Sequence, residues 1–279
     1  MSVFIRAPRR NTAAPRISIV MPALNEAANL AVVLPQLPDV HEIILVDGGS
    51  VDGTIATARR LRPDIVTVLQ SRRGKGNALA AGFSRVTGDV VVTFDADGSS
   101  NPAEISRFVQ VLKDGADFAK GSRFMFGGGS SDITPIRAAG SRALNAVFNF
   151  AFGTRYSDLC YGFNAFWADL IPVLDLPDHT RPMASGGRLP WGDGFEIETV
   201  ITCRLATAGV EIVEVPSIEM RRTHSEPQLS AVADGLRVLR TLFVEWRRAR
   251  AARAELRPGH RRRDLQVALE RVSAGEVAA

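Results

Sequence analysis

Val90-Val91-Val92-Thr93-Phe94-Asp95-Ala96-Asp97-Gly98-Ser99 decides the fold. The apolar, mostly β-branched run without polar alternation predicts a strand at residues 89–94 buried on both faces, as in a parallel sheet. It ends in two carboxylates two residues apart. At a strand terminus Asp95 and Asp97 can face one divalent cation, and Mg²⁺ or Mn²⁺ suits oxygen ligands of this kind. An Asp-Gly pair is also ordinary turn chemistry. The preceding buried strand favours the metal reading.

Working outward, similar short runs predict strands at 17–21, 42–46 and 65–69, with helical patterns at 26–34, 52–61 and 75–86 between them. This alternation specifies an α/β fold with a mainly parallel central sheet flanked by helices. Such sheets bind ligands at the carboxyl ends of their strands. That edge gathers residues 22–26, 47–52, 71–75 and 95–99, all polar or glycine-rich.

Within these segments Asp47 is placed to accept a hydrogen bond from a base N–H, with Ser50 or Asp52 capping the helix that follows. Arg73-Gly74-Lys75-Gly76 precedes a helix, where backbone N–H groups and two cations can cradle phosphate; a plain surface turn explains it almost as well. It lacks the spacing of a Walker A loop. Beyond Asn101, a helix is predicted at 102–113 with Asn101 as its cap, then a strand at 117–120 and a helix around 136–152. A loop or lid at 178–191, a helix at 195–208, a strand at 210–216 and another near 218–222 complete the domain.

The charge of +4 is unevenly distributed: from Leu236 onward eleven arginines face five carboxylates, so the rest of the chain is slightly acidic. Basicity is thus a C-terminal property and no argument for nucleic acid. Cys160 and Cys203 lie among apolar neighbours and are expected to be reduced. No stretch of about 18 apolar residues occurs, and the basic start has no apolar signal region behind it. These features predict a cytoplasmic protein, with a peripheral position on the inner face of the membrane as the alternative. The expected layout is a flexible leader (1–15), a catalytic domain (16–229), a basic amphipathic helix (230–257) and a flexible tail (258–279). In that helix Leu236, Val238, Leu239, Leu242, Phe243 and Trp246 share a face edged by arginines, suited either to an anionic membrane or to packing on the domain.

Taken together, these segments resemble the family 2 glycosyltransferases of the GT-A fold, above all the dolichyl- or polyprenyl-phosphate mannosyl- and glucosyltransferases. Pro22-Ala23-Leu24-Asn25-Glu26 is similar to the family's Pro-x-x-Asn-Glu nucleotide loop, which implies donor contacts at Pro22, Leu24 and Glu26. Asp47 matches the base-binding acid of a Val-Asp-Asp-Gly-Ser segment whose second Asp is here Gly48. Asp95, Ala96 and Asp97 match the metal and diphosphate motif, and Gly121-Ser122-Arg123-Phe124 implies a donor contact at Arg123. Asp158-Leu159-Cys160-Tyr161-Gly162-Phe163 resembles the wall of the sugar and acceptor pocket. Arg222 aligns with the family's diphosphate arginine, but Pro227-Gln228 replaces the usual Ser-Lys; His224 is read first as a surface histidine and second as a partial substitute.

The resemblance implies a metal-dependent, inverting transfer of a hexose from a nucleoside-diphosphate sugar, of GDP-mannose or UDP-glucose type, to a polyprenyl phosphate. Lys75 joins the donor-binding set. A soluble natural product or phosphorylated metabolite is the alternative acceptor, and a non-transferring nucleotide-sugar-binding protein the remote one. An ionised phosphate attacks unaided, whereas a sugar hydroxyl needs a base. Candidate bases are Asp158 and Glu196, followed by Asp193 and Glu198. With Asp97, the first two form the expected catalytic set.

Overall fold

The structure is a computed structural model and describes residues 10–181, 189–222 and 231–255. Seven strands form one sheet: β1 (Ile17–Ala23), β2 (Glu42–Asp47), β3 (Val66–Leu69), β4 (Val90–Thr93), β5 (Phe118–Ser122), β7 (Asn164–Trp167) and β8 (Ile212–Pro216). Their order is β3-β2-β1-β4-β7-β5-β8. All neighbours run parallel except at β7, which is antiparallel to both β4 and β5. The sheet is therefore mixed but mainly parallel, with helices on both faces, as expected of an α/β fold. A separate parallel pair joins β6 (Gly129–Ser130) to β9 (Ile218–Glu219).

Alternation within each strand divides the core. Ile19, Met21, Leu45, Val92 and Phe94 face one layer, where α1 (Ala27–Val33), α2 (Thr54–Leu61) and α4 (Ile105–Lys113) cover them. Val20, Ile44, Val46 and Val91 face the other, under α3 (Lys75–Phe83), α6 (Ile171–Leu174) and α7 (Ile197–Ala208). The strands are buried on both sides, so their sequences run apolar without a break. A third cluster lies between α5 (Pro135–Phe152), α7 and α8 (Ala231–Glu255), around Phe148, Phe152, Cys203, Val238 and Leu242.

The expected cap at Asn101 forms, accepting from the Ala103 N–H at 3.0 Å, and Thr134, which was not anticipated, accepts from the Arg137 N–H at 3.3 Å. Asp52 rather than Ser50 opens α2, accepting from the Thr54 N–H at 3.0 Å. β7 was not anticipated. Its four residues, Asn164-Ala165-Phe166-Trp167, include none of the β-branched residues that mark β1 to β4, and pairing with β4 and β5 creates the strand. The C-terminal helix divides its apolar face: Val238 and Leu242 are buried against the domain while Leu239 and Phe243 remain outside. Both cysteines are free thiols. No helix of the described residues is long and apolar enough to cross a membrane. The expected leader, tail and lid fall wholly or partly outside the described residues, as do Thr223, His224, Ser225, Pro227 and Gln228.

Candidate active site

β2 and β3 lie on one side of β1 and β4 on the other, so the order of connection reverses between β1 and β4. A crevice forms at such a switch point, beyond the carboxyl ends of the strands. The loop after β1 is fixed against the loop after β2. Asn25 takes a left-handed conformation (φ 58°), which asparagine tolerates, and its Oδ1 accepts from the Val51 N–H at 2.9 Å. In return Ser50 Oγ, Thr54 Oγ1 and Asp52 Oδ2 accept from the N–H groups of Asn25, Glu26 and Ala27 at 2.8–2.9 Å. These ties bring Pro22, Leu24 and Glu26 beside Asp47.

Asp47 is buried. Its Oδ2 accepts from the Gly49 and Ser50 N–H groups at 2.9 Å each, whereas Oδ1 has no hydrogen-bond partner. A buried carboxylate oxygen left this way is costly unless a ligand donates to it. Gly48 lies against Leu24 and Gln70, whose atoms would sit 3.2–3.3 Å from a Cβ there. Glu26 reaches towards Asp97 and Arg222. Burial raises its pKa, the Asn29 amide opposes this and Asp97 adds to it.

At the end of β4, Ala96 points into the core while its neighbours turn outward. Each carboxylate meets a cation. Lys75 Nζ is 2.7 Å from Asp95 Oδ1 and 2.8 Å from Glu198 Oε1. Arg222 Nε is 2.8 Å from Asp97 Oδ2, a charge contact without an aligned hydrogen bond. Burial opposes the charge on Lys75, but Asp95 and Glu198 outweigh it and drive its pKa up. Burial raises the pKa of Glu198, with Lys75 opposing. Gly162 makes room for this cluster: a Cβ there would lie 2.6 Å from Lys75 Nζ.

The other expected residues are brought together with different partners. Arg123 donates to both oxygens of Asp158, at 2.7 and 3.1 Å, and to Glu219 at 3.2 Å, with Tyr161 against its guanidinium plane. Asp158 is fully buried. Glu196 Oε1 accepts from the Gly192 and Gly194 N–H groups at 3.1 and 3.3 Å. Asp193 is paired with Arg72 at 2.6 Å. The phosphate cradle read into Arg73-Gly74-Lys75-Gly76 is filled by protein: the Gly76 N–H donates to Asp193 O at 2.8 Å. Gly74 and Gly76 are glycines because a Cβ at either would fall about 2 Å from the Asp193 or Gly192 carbonyl oxygen.

Sequence reading missed Glu219 as a partner of Arg123, and no local pattern marks it. Gly162 did carry a signal, since a glycine between aromatics in an apolar run often marks close approach. Among the described residues no three His, Cys, Asp or Glu side chains gather into a metal cage.

The crevice thus brings Asp47 and the Asp95–Asp97 pair to the carboxyl edge of the sheet. The chain is 34% identical over 213 residues to a polyprenol monophosphomannose synthase of Mycolicibacterium smegmatis, covering 72% of this chain and 76% of that one. It is 30% identical over 250 residues to an undecaprenyl-phosphate mannosyltransferase of Micrococcus luteus, covering 85% and 98%. Its fold matches glucosyl-3-phosphoglycerate synthase from Mycobacterium tuberculosis, solved with Mn²⁺, UDP and glucosyl-3-phosphoglycerate, with a TM-score of 0.62, 23% identity and coverage of 84% and 81%. The family profile "Glycosyl transferase family 2" spans residues 18–171, more than half of the chain, with β1 to β4 and their loops inside it. On that match the chain belongs to glycosyl transferase family 2 and is a glycosyltransferase.

Proposed function

We propose that the protein transfers a hexose, with inversion, from a nucleoside-diphosphate sugar to a polyprenyl phosphate. One observation carries the choice of acceptor. Of the carboxylates expected to serve as a base, Asp158, Asp193 and Glu198 are buried and paired with Arg123, Arg72 and Lys75, while Glu196 is buried and holds two backbone N–H groups through Oε1, its Oε2 lying 3.9 Å from Arg237 Nε. A hydroxyl acceptor needs a free base; a phosphate monoester is ionised near neutral pH and needs none. The two relatives named for transfer to a polyprenyl phosphate or polyprenol carrier support the same choice.

The donor set fits a divalent cation. Asp95 and Asp97 supply hard oxygens from one strand end, and the lack of a third ligand among the described residues suits Mg²⁺ or Mn²⁺, which complete their shells with phosphate oxygens and water. When bound, the cation neutralises charge on the departing diphosphate. Arg222 stands ready on the same side. Asp47 Oδ1 is positioned to accept from the base, and Pro22, Leu24 and Glu26 line the nucleotide side. Lys75 holds Asp95 and Glu198 in fixed orientation. Arg123 and Asp158 are positioning residues that shape the acceptor wall around Tyr161. In the reaction an acceptor phosphate oxygen bonds to the anomeric carbon as the carbon–oxygen bond to the diphosphate breaks, its electron pair leaving with the nucleoside diphosphate. No proton is transferred.

Nucleoside diphosphate release, measured with Mn²⁺ or Mg²⁺ over a panel of nucleotide sugars, tests this directly. Stimulation of one donor by a short-chain polyprenyl phosphate is the expected result. Stimulation by a soluble acceptor and not by the lipid would overturn the acceptor assignment.

A further inference from the structure

We infer that the outer faces of α5 and α8 together form a docking surface for an anionic membrane. The inference deepens the proposed use of a lipid-borne phosphate. On α5, Ile136, Gly140, Ala143, Val147 and Phe150 recur at alternating spacings of four and three and are exposed; Phe150 is 94% exposed. On α8, Leu236, Leu239 and Phe243 are exposed in the same manner.

The two helices pack on one shared cluster, α5 through Phe148 and Phe152 and α8 through Val238 and Leu242. Side chains advance by about 100° per residue around a helix. Leu144 and Ala151, packed at the edge of the core, therefore fall on α5 between buried Phe148 and outward Val147. Trp246 occupies the equivalent position on α8, between Leu242 inside and Phe243 outside. Both exposed stripes thus rise from helices anchored in the same cluster.

Its charge selects the partner. Residues 135–152 contain no aspartate or glutamate, and among the described side chains of α8 the sole carboxylate is Glu245, buried against Arg204 at 3.0 Å. Arg142, Arg240 and Arg247 are exposed around this surface. Among the described side chains of the two helices, apolar positions bordered by arginines and by no exposed carboxylate complement an interface rich in anionic lipid. The heptad-like spacing on α5 would also admit a second copy of the chain. A twofold pairing sets the same face on both sides, though, so arginines would oppose arginines with no carboxylate between them. The surface also lies beside the site: Arg240 stacks over Trp191 at 5.6 Å, next to the Gly192-Asp193-Gly194 turn that packs on the helix of Lys75.

Co-sedimentation of the full chain with vesicles tests the inference without donor or acceptor present. The parent protein should partition into phosphatidylcholine–phosphatidylglycerol vesicles and far less into phosphatidylcholine alone. Phe150→Glu combined with Phe243→Glu, both at exposed positions, should weaken that partition at least about tenfold. The double variant should keep its melting temperature and its turnover of a water-soluble, short-chain acceptor. Equal binding by parent and variant, or no preference of the parent for anionic vesicles, would overturn the inference. So would a parent dimer in light scattering that the variant dissolves, which would give this face to a second copy. Because vesicle binding and turnover are read separately, loss of either leaves the other standing.

Discussion

Asp97 and Asp95 are held by cations of the protein itself, so the two acids are poised without being free. Replacing Asp97 by Ala should lower metal-dependent turnover by about 100-fold or more, followed as nucleoside diphosphate release across a Mn²⁺ titration. Full activity of that variant in the presence of chelator would remove the proposed mechanism. Glu26 offers a test by pH. Its folded pKa lies above 4.5, chiefly through burial, so the folded state holds the proton over a window in which the unfolded chain has released it. The stabilising contribution is complete below the unfolded value and disappears as pH rises through the folded one. The stability of Glu26→Gln relative to the parent should therefore climb as pH rises above about 4.5, in denaturant titrations at several pH values. A difference that stays flat with pH would refute this. Asp47 could be placed from the sequence because it closes a buried strand, and Asp95 and Asp97 because they follow one directly, which sets all three at the carboxyl edge of the sheet. Arg123 and Asp158 were legible as important but not as each other's partner, since their pairing depends on how β5 meets the segment before β7.

At the scale of elements, the start of α3 shows how two distant segments share one contact. The glycines of Gly74-Lys75-Gly76 looked suited to phosphate, but their backbone is met by the turn at Gly192 and Asp193. Local pattern cannot separate these uses, because a ligand and a docked turn both need a bare backbone. Gly76→Ala should therefore destabilise the fold by roughly 2–4 kcal/mol in chemical denaturation, as its Cβ would meet a carbonyl oxygen that cannot withdraw cheaply. Gly129→Ala, with open space around it, should stay within about 0.5 kcal/mol. Comparable losses for the two would mean that the close approach at α3 carries little energy. Most helices and strands fell where periodicity placed them. β7 did not, for Asn164-Ala165-Phe166-Trp167 carries none of the β-branched residues that mark β3 and β4, and it is buried throughout without alternation.

For the molecule as a whole, α8 is as much a part of the core as an appendage. Leu242 and Val238 close the cluster around Phe148 and Cys203, while Leu239 and Phe243 look outward from the same helix. Leu242→Ala should cost about 2–5 kcal/mol in unfolding free energy, and Leu239→Ala less than about 1 kcal/mol. If both were near neutral, α8 would be a detachable arm. The sequence displayed the apolar face of this helix but not its division, which depends on the width of the groove between α5 and α7.

The placement of β7 bears on how the chain is made. β4 pairs with β1 on one edge as soon as it leaves the ribosome, but its other edge waits for residues 164–167. Until then Val90-Val91-Val92-Thr93-Phe94 presents an open, uncharged edge of high β propensity, the kind of segment through which nascent chains associate. β5 emerges in the interval, yet it cannot cover that edge, because its place in the sheet lies one strand further out. Translation halted between β5 and β7 would therefore leave a half-built sheet prone to aggregation, and the arrival of one short strand would seal both halves together.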